Sequence, residues 1–304
     1  MKKTLICRLI AFYALNANSW NPEIYESTDF DNPYYMEYAE RSARKDFAGT
    51  HRFQKPSRIG NMTFNYNDLG VLNSINIIDN EGKTEIITFN YLTAPDKNGY
   101  SVTMSWKYKG STKVYKNAYI KLNSFGDAKY MRVKDQYSDS EYFFRYRGSG
   151  QLDAYKVNIE YNESAPSEID VLLTYTEEND ISDYNISVCA RSYSNAWADD
   201  NVRHSIGYNS TSSKNSVGLM LFNLYGAEAE LNYLYYAGIL GDPNILFPAV
   251  CKYDISNEEV ELSCNVSYKW EMDSNNRPIK LIINTRTSEC GEIYDESETV
   301  SIEW

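Results

Sequence analysis

Hydrophobic and polar residues alternate in short runs along most of this chain, and one phrase of that alternation recurs. In Met62-Thr-Phe-Asn-Tyr66-Asn-Asp-Leu-Gly70-Val-Leu72-Asn-Ser-Ile75-Asn-Ile77, two aromatics stand two apart, a short turn ends in glycine, and a leucine opens a return run with β-formers at 75 and 77. Aromatics two apart face one side of a strand, and Asn-Asp before Gly closes a loop whose last residue can take positive φ. The phrase returns with its spacing kept at Phe144, Tyr146, Gly150, Leu152, Tyr155 and Val157. A weaker copy over 119–133 has Gly126, Ala128, Met131 and Val133 in register but lacks the aromatic pair. In a last copy, Tyr268-Lys-Trp270 leads to Pro278, Leu281 and Ile283 through a turn read as two residues longer.

All four copies leave a gap of three, as between Leu72 and Ile75, where strict alternation would leave two. That predicts a bulge or tight bend in each return strand and a curved sheet. The copies are 56, 24 and 126 residues apart along the chain, too irregular for a solenoid.

A further hairpin follows from pairing arithmetic. A loop at 256–259 would set Cys251 opposite Cys264, Tyr253 opposite Leu262 and Ile255 opposite Val260 on an apolar face, with Lys252 opposite Ser263 and Asp254 opposite Glu261 on a polar one. The Asp254–Glu261 repulsion is a blemish on that register. In an exported chain the same register would let Cys251 and Cys264 form a cross-strand disulfide.

Helical spacing is confined to two places. Over 227–240, Ala227, Leu231, Leu234 or Tyr235, and Gly238 recur at helical intervals, and Gly241-Asp242-Pro243 is the expected stop. A second helix is expected over 34–47. The resulting architecture is mainly β: antiparallel hairpin sheets, curved, with one or two helices packed on a sheet face. Composition does not change at Pro166, so residues 20–304 read as a single domain.

Composition sharpens this picture. The 28 tyrosines outnumber 11 phenylalanines and 5 tryptophans together, which suits strands whose rings pack while their hydroxyls stay wet. Net charge is −12, so no basic surface is offered to nucleic acid or to an anionic membrane. The apolar run 217–240 carries Asn223, Glu228, Glu230 and Asn232 in its middle, which argues against a membrane span. Met1-Lys2-Lys3, an apolar stretch and Ala17-Asn18-Ser19 fit a secretory leader over residues 1–19, the alternatives being a terminal element packed on the domain or a misassigned start.

The recurring aromatic-x-Tyr, turn-Gly, x-Leu phrase resembles the tyrosine/aspartate hairpin repeats of Rhs-type bacterial surface proteins. The stretch Leu234-Tyr-Tyr-Ala-Gly-Ile-Leu-Gly-Asp-Pro243, with Leu246-Phe-Pro-Ala249 and the closing Tyr268-Lys-Trp270, is similar to an uncharacterised family of secreted proteins and lipoproteins from gut Bacteroidetes, a domain of unknown function. That resemblance implies an extracytoplasmic β-rich protein and no activity. The family's lipid-anchor cysteine has no counterpart here.

Catalytic templates are not met. Gly148-Ser149-Gly150 lacks nucleophile-elbow spacing. His51 and His204 have no spaced partners, and no carboxylate pair stands out among 42 acidic residues. No catalytic or metal-ligating residue is assigned and no cofactor is expected. Asp199-Asp200-Asn201 and Asp273-Ser-Asn275-Asn276 offer oxygens that would suit calcium, but neither completes a calcium loop. For ligand binding, the stretch Tyr193, Trp197, Asp199, Asp200 and Asn201, read as a loop, sets aromatic rings beside carboxylate and amide groups, a combination that suits a sugar. The sequence therefore leads to a non-catalytic extracytoplasmic binding protein with a glycan as ligand. The alternative is an adhesive module binding a cell-surface protein, and a hydrolase comes third.

Overall fold

The computed structural model describes residues 55–304, apart from 148–149, 163–165, 176–180, 192–196, 209–211, 226–228, 257–260 and 290. The leader, the 34–47 helix, His51, Tyr193 and Ser149 fall outside the described residues. Sixteen strands follow in sequence: β1 (Arg58–Ile59), β2 (Met62–Tyr66), β3 (Leu72–Ile78), β4 (Thr84–Tyr91), β5 (Val102–Tyr108), β6 (Lys116–Leu122), β7 (Ala128–Asp135) and β8 (Ser138–Tyr146). They continue as β9 (Leu152–Tyr161), β10 (Ser167–Tyr175), β11 (Ile181–Arg191), β12 (Trp197–Gly207), β13 (Val250–Ser256), β14 (Glu261–Met272), β15 (Pro278–Glu289) and β16 (Glu292–Glu303). Each pairs antiparallel with its sequence neighbours, and β16 returns to β1 through Arg58↔Glu303 and Ile59↔Ile302, so the curved sheet closes into a barrel.

The four recurring phrases form β2–β3, β6–β7, β8–β9 and β14–β15, and each carries the expected bulge. The extra residue is Asn73, Lys129, Asp153 and Ile279 respectively. Their turns are alike. Backbone bonds run from Asn67 N to Val71 O and from Gly70 N to Asn67 O, and the Asn67 side-chain oxygen takes the N–H groups of Leu69 and Val71. Asn123 and Asp273 repeat this set. In the last hairpin the turn is not longer, as the aromatic pair suggested. Asn276 at φ 57° stands where Gly70, Gly126 and Gly150 stand in the others, and the strand before it extends two residues past Trp270 to Met272.

The β13–β14 register also differs from the arithmetic. Cys251 faces Val266, Tyr253 faces Cys264 and Asp254 faces Ser263, a slip of two that separates Asp254 from Glu261. Cys251 and Cys264 sit on one face but diagonally, and no bond joins them in the structure, where the sequence allowed a disulfide. Diagonal neighbours stand about 7–8 Å apart, beyond the usual reach of a disulfide.

The two faces of the wall are chemically distinct. Inward positions include Phe64, Ile75, Ile87, Met104, Ile120, Met131, Phe144, Val157, Val171 and Leu281, all buried. The alternate positions are mostly polar, among them Thr63, Asn76, Thr88, Ser105, Lys121, Arg132, Glu141, Lys156, Glu168, Asn265, Lys269 and Arg286, with Ile86, Tyr119, Phe143, Leu172 and Ile282 interspersed. Ion pairs cross the outer face at Arg132–Asp139, Arg145–Asp153, Lys156–Glu168 and Lys280–Glu271. Barrels that cross membranes alternate the other way, apolar outward and polar inward.

The connection between β12 and β13 fills the lumen. It holds a 3-10 turn (Phe222–Tyr225) and the helix α1 (Ala229–Tyr236). Its side chains Leu231, Leu234, Tyr235, Ile239 and Leu240 are at most 1% exposed. The segment touches strands around the ring: Tyr236 meets Phe64 edge-on at 5.0 Å, Glu230 pairs with Lys116, and Phe247 stacks on Trp270. Gly241 N donates to Asp127 Oδ1 at 3.0 Å and Asp242 N to Gly150 O at 3.0 Å, which pins it to two of the repeated turns. So α1 is enclosed by the barrel instead of lying on a sheet face. It also ends earlier than the sequence suggested, because Gly238 at φ 86° closes a Schellman cap, with Gly238 N on Tyr235 O and Ile239 N on Leu234 O.

Tyrosine has a role here other than the one read from composition. Several hydroxyls are turned inward onto backbone carbonyls: Tyr146 on Ala128, Tyr208 on Ile181, Tyr268 on Leu224 and Tyr235 on Gly218. A phenyl ring would fill the same space without those hydrogen bonds.

Candidate functional site

With the lumen filled, concave surface has to be sought on the outer wall. The long strands β13–β16 carry a shallow groove of about 430 Å³ there. Two adjacent cross-strand rungs line it. One is Lys252, Asn265, Arg286 and Asp295; the other is Val250, Ser267, Asn284 and Ser297. Gly207 on β12 faces Val250, and a β-carbon at 207 would come within 2.6 Å of its Cγ2, so the missing side chain lets Val250 lean over β12.

The polar groups of the groove are largely uncommitted. Ser297 Oγ donates to Asn284 Oδ1 at 2.9 Å. Arg286 and Asp295 stand directly opposite, yet among the described residues neither closes an ion pair. Elsewhere on this face opposed charges do close, as Lys280 and Glu271 at 3.1 Å and Arg132 and Asp139 at 2.7 Å. The Arg132 guanidinium, bonded twice to Asp139, holds that carboxyl below its ordinary range.

The sugar-binding stretch read from the sequence is placed differently. Trp197, Asp199, Asp200 and Asn201 belong to strand β12, not to a loop, where they pair with Arg191, Cys189, Val188 and Ser187 of β11. They lie beyond Arg203–Gly207, the part of β12 that meets β13, so the backbone does not bring them into the groove. Trp106 is buried in the wall and Trp270 lies on its inner face against Phe247.

His204 is 3% exposed, its ring 4.7 Å from that of Tyr253 and its Nδ1 4.0 Å from Cys251 Sγ. Burial lowers the imidazole to about 4 and pushes the Cys251 thiol up to about 12. A neutral, enclosed imidazole beside an un-ionised thiol is packing, not a nucleophile system. Asp273 spends its carboxylate on the backbone N–H groups of Asn275 and Arg277 and on the Arg277 side chain. Among the described residues no group of three or more His, Cys, Asp or Glu could hold a metal ion, and no helix is long and apolar enough to cross a membrane.

No protein-family model matches the chain, and comparison with curated proteins finds no match. Solved structures do resemble it. A porin-like protein from Bacteroides uniformis superposes with a TM-score of 0.53 at 14% identity, covering 79% of this chain and 88% of that one. A porin-like protein from Bacteroides vulgatus gives 0.45 at 9% identity, covering 83% and 99%. The likeness to the first is one of fold.

Sequence reasoning did not single out Lys252, Asn265, Arg286 or Asp295. Alternation placed Lys252 on a polar face, but nothing local joins it to Arg286 two strands away. Only the register across two ladders does so.

Proposed function

We propose that this chain is a non-catalytic, extracytoplasmic binding protein, its barrel a filled scaffold surrounded by water, and that its ligand is a glycan met on the outer wall. One observation carries the reading: the barrel's polarity is that of a water-soluble protein, with ion-paired polar strands outside and an apolar, occupied lumen. Such a wall would expose lysines and arginines to hydrocarbon at a cost of about 2–4 kcal/mol each near a bilayer midplane. A lumen occupied by Leu231, Leu234 and Tyr235, all fully buried, argues against an open solute path. The similarity to secreted proteins of gut Bacteroidetes supports the compartment.

The test is in three parts. The chain should purify as a folded protein without detergent, fail to float with liposomes, and leave a planar bilayer non-conducting. A glycan array should then give specific binding, and Trp197→Ala on the same array asks whether the 197–201 stretch contributes. Detergent dependence together with single-channel conductance would overturn the scaffold reading.

A second reading, a protein-interaction module, draws on the far edge of β16. Its pairing with β1 is limited to residues 302–303, and no described strand pairs with 292–299 on that side. A blank array with capture of a defined partner would favour it.

A further inference from the structure

Resting on the glycan-binding reading, we propose that the groove across β13–β16 is the binding site and that it takes an acidic sugar, a uronic acid unit within a chain. Strand spacing of about 4.8 Å sets the backbones of Lys252 and Arg286 roughly 10 Å apart with Asn265 between them. Two cations so spaced, each without an ion pair among the described residues, form a cradle for a carboxylate. The Arg fork suits bidentate contact and Lys supplies a point charge.

The rest of the groove suits the ring that carries the carboxylate. Asn265 and the Asn284 amide offer donors and acceptors to hydroxyls, and Asp295 and Ser297 stand on the far side of Arg286 to take others. A volume of about 430 Å³ falls within the range of small-molecule sites. No aromatic ring lines the groove, so the stacking platform on which neutral sugars depend is missing, and recognition falls to charge and hydrogen bonds. Among the described residues the lining contains no His or Cys, and its two carboxylates, Asp295 and Glu296, are neighbours in β16 whose side chains alternate to opposite faces, so the groove is read as holding the sugar.

Overall charge does not forbid this. The net −12 is spread over the whole chain, whereas the Debye length at physiological salt is about 8 Å, so an anion in the groove responds first to the charges there, Lys252 and Arg286 with Asp295 opposite Arg286.

Calorimetric titration of the full chain with trigalacturonate and with neutral galactotriose tests the proposal. The acidic trimer should bind and the neutral one should bind at least tenfold more weakly. Arg286→Ala and Lys252→Ala should each weaken the acidic trimer at least tenfold, with Arg286→Lys retaining part of the affinity and 0.5 M salt reducing it. Lys252, Asn265 and Arg286 are exposed, and unchanged thermal melting of the variants shows that folding is intact. Binding of both trimers alike, or acidic binding untouched by the two variants, overturns the groove proposal while leaving a glycan-binding protein. Failure of every acidic and neutral oligosaccharide on an array overturns both.

Discussion

Trp270 of β14 lies nearly flat on Phe247 of the lumen-filling segment, ring centroids 4.3 Å apart and planes 27° from parallel, while its Nε1 donates to Pro248 O at 3.0 Å. The indole thus joins wall to filling by both its faces of chemistry. Trp270→Ala should destabilise the protein by about 3 kcal/mol, the lower end for aromatic truncation, because the residue is only partly buried. Trp270→Phe should recover most of that and lose the hydrogen bond. Denaturant unfolding of the two variants measures the split, and equal losses would mean the ring packing contributes little.

Acid should act on the barrel through His204. Its imidazole titrates near 4 when folded, against about 6.5 unfolded. Between those values the unfolded chain binds the extra proton, so His204 lowers stability as pH falls through that window and has no such effect above about 7. At pH 5 the cost is about 2 kcal/mol. His204→Phe should therefore gain on the natural protein by that amount between pH 7.5 and pH 5. A constant difference across the window would show that the ring is solvated.

Two glycines with positive φ separate backbone strain from crowding. Gly99 at φ 82° has open space where a β-carbon would point, so Gly99→Ala should cost about 1 kcal/mol from conformation alone. Gly241 at φ 64° would bring that carbon within 2.8 Å of Gly150 O and 3.1 Å of Leu152 N. Gly241→Ala should cost at least about 1 kcal/mol more, since the filling segment would be pushed off the rim turns. Thermal melts of the pair check the order.

Thiol chemistry tests the β13–β14 register. Alkylation of denatured, unreduced protein should label both Cys251 and Cys264, as expected for diagonal thiols. An intact mass lower by two labels, with a peptide linking the two residues, would restore the register that sets them opposite.

Much of the wall was legible in the sequence because hairpins are local. The bulges could be read from the Leu72–Ile75 gap, since a one-residue insertion leaves its mark in side-chain period. Closure could not be read, because β1 and β16 meet through Arg58 and Glu303, 245 residues apart, and neither residue carries a local signal for the other. The β13–β14 slip was hidden for a different reason. Shifting the pairing by two keeps every side chain on its face, so the apolar pattern is equally content with either register, and only Asp254 opposite Glu261 marked one as worse. The groove is less legible still, being assembled from exposed residues of four strands with no motif between them.

The two-residue strand β1 has a consequence for how the chain reaches this state. Every other pairing joins strands adjacent in sequence, so the wall can zip from any hairpin with modest loop-closure entropy. The seam between β1 and β16 rests on Arg58↔Glu303 and Ile59↔Ile302 and joins the most distant parts of the described chain. It should therefore be the last ladder to form and the first to open, and amide protons at Ser57 and Gly60 should exchange ahead of those in the middle of β14 and β15.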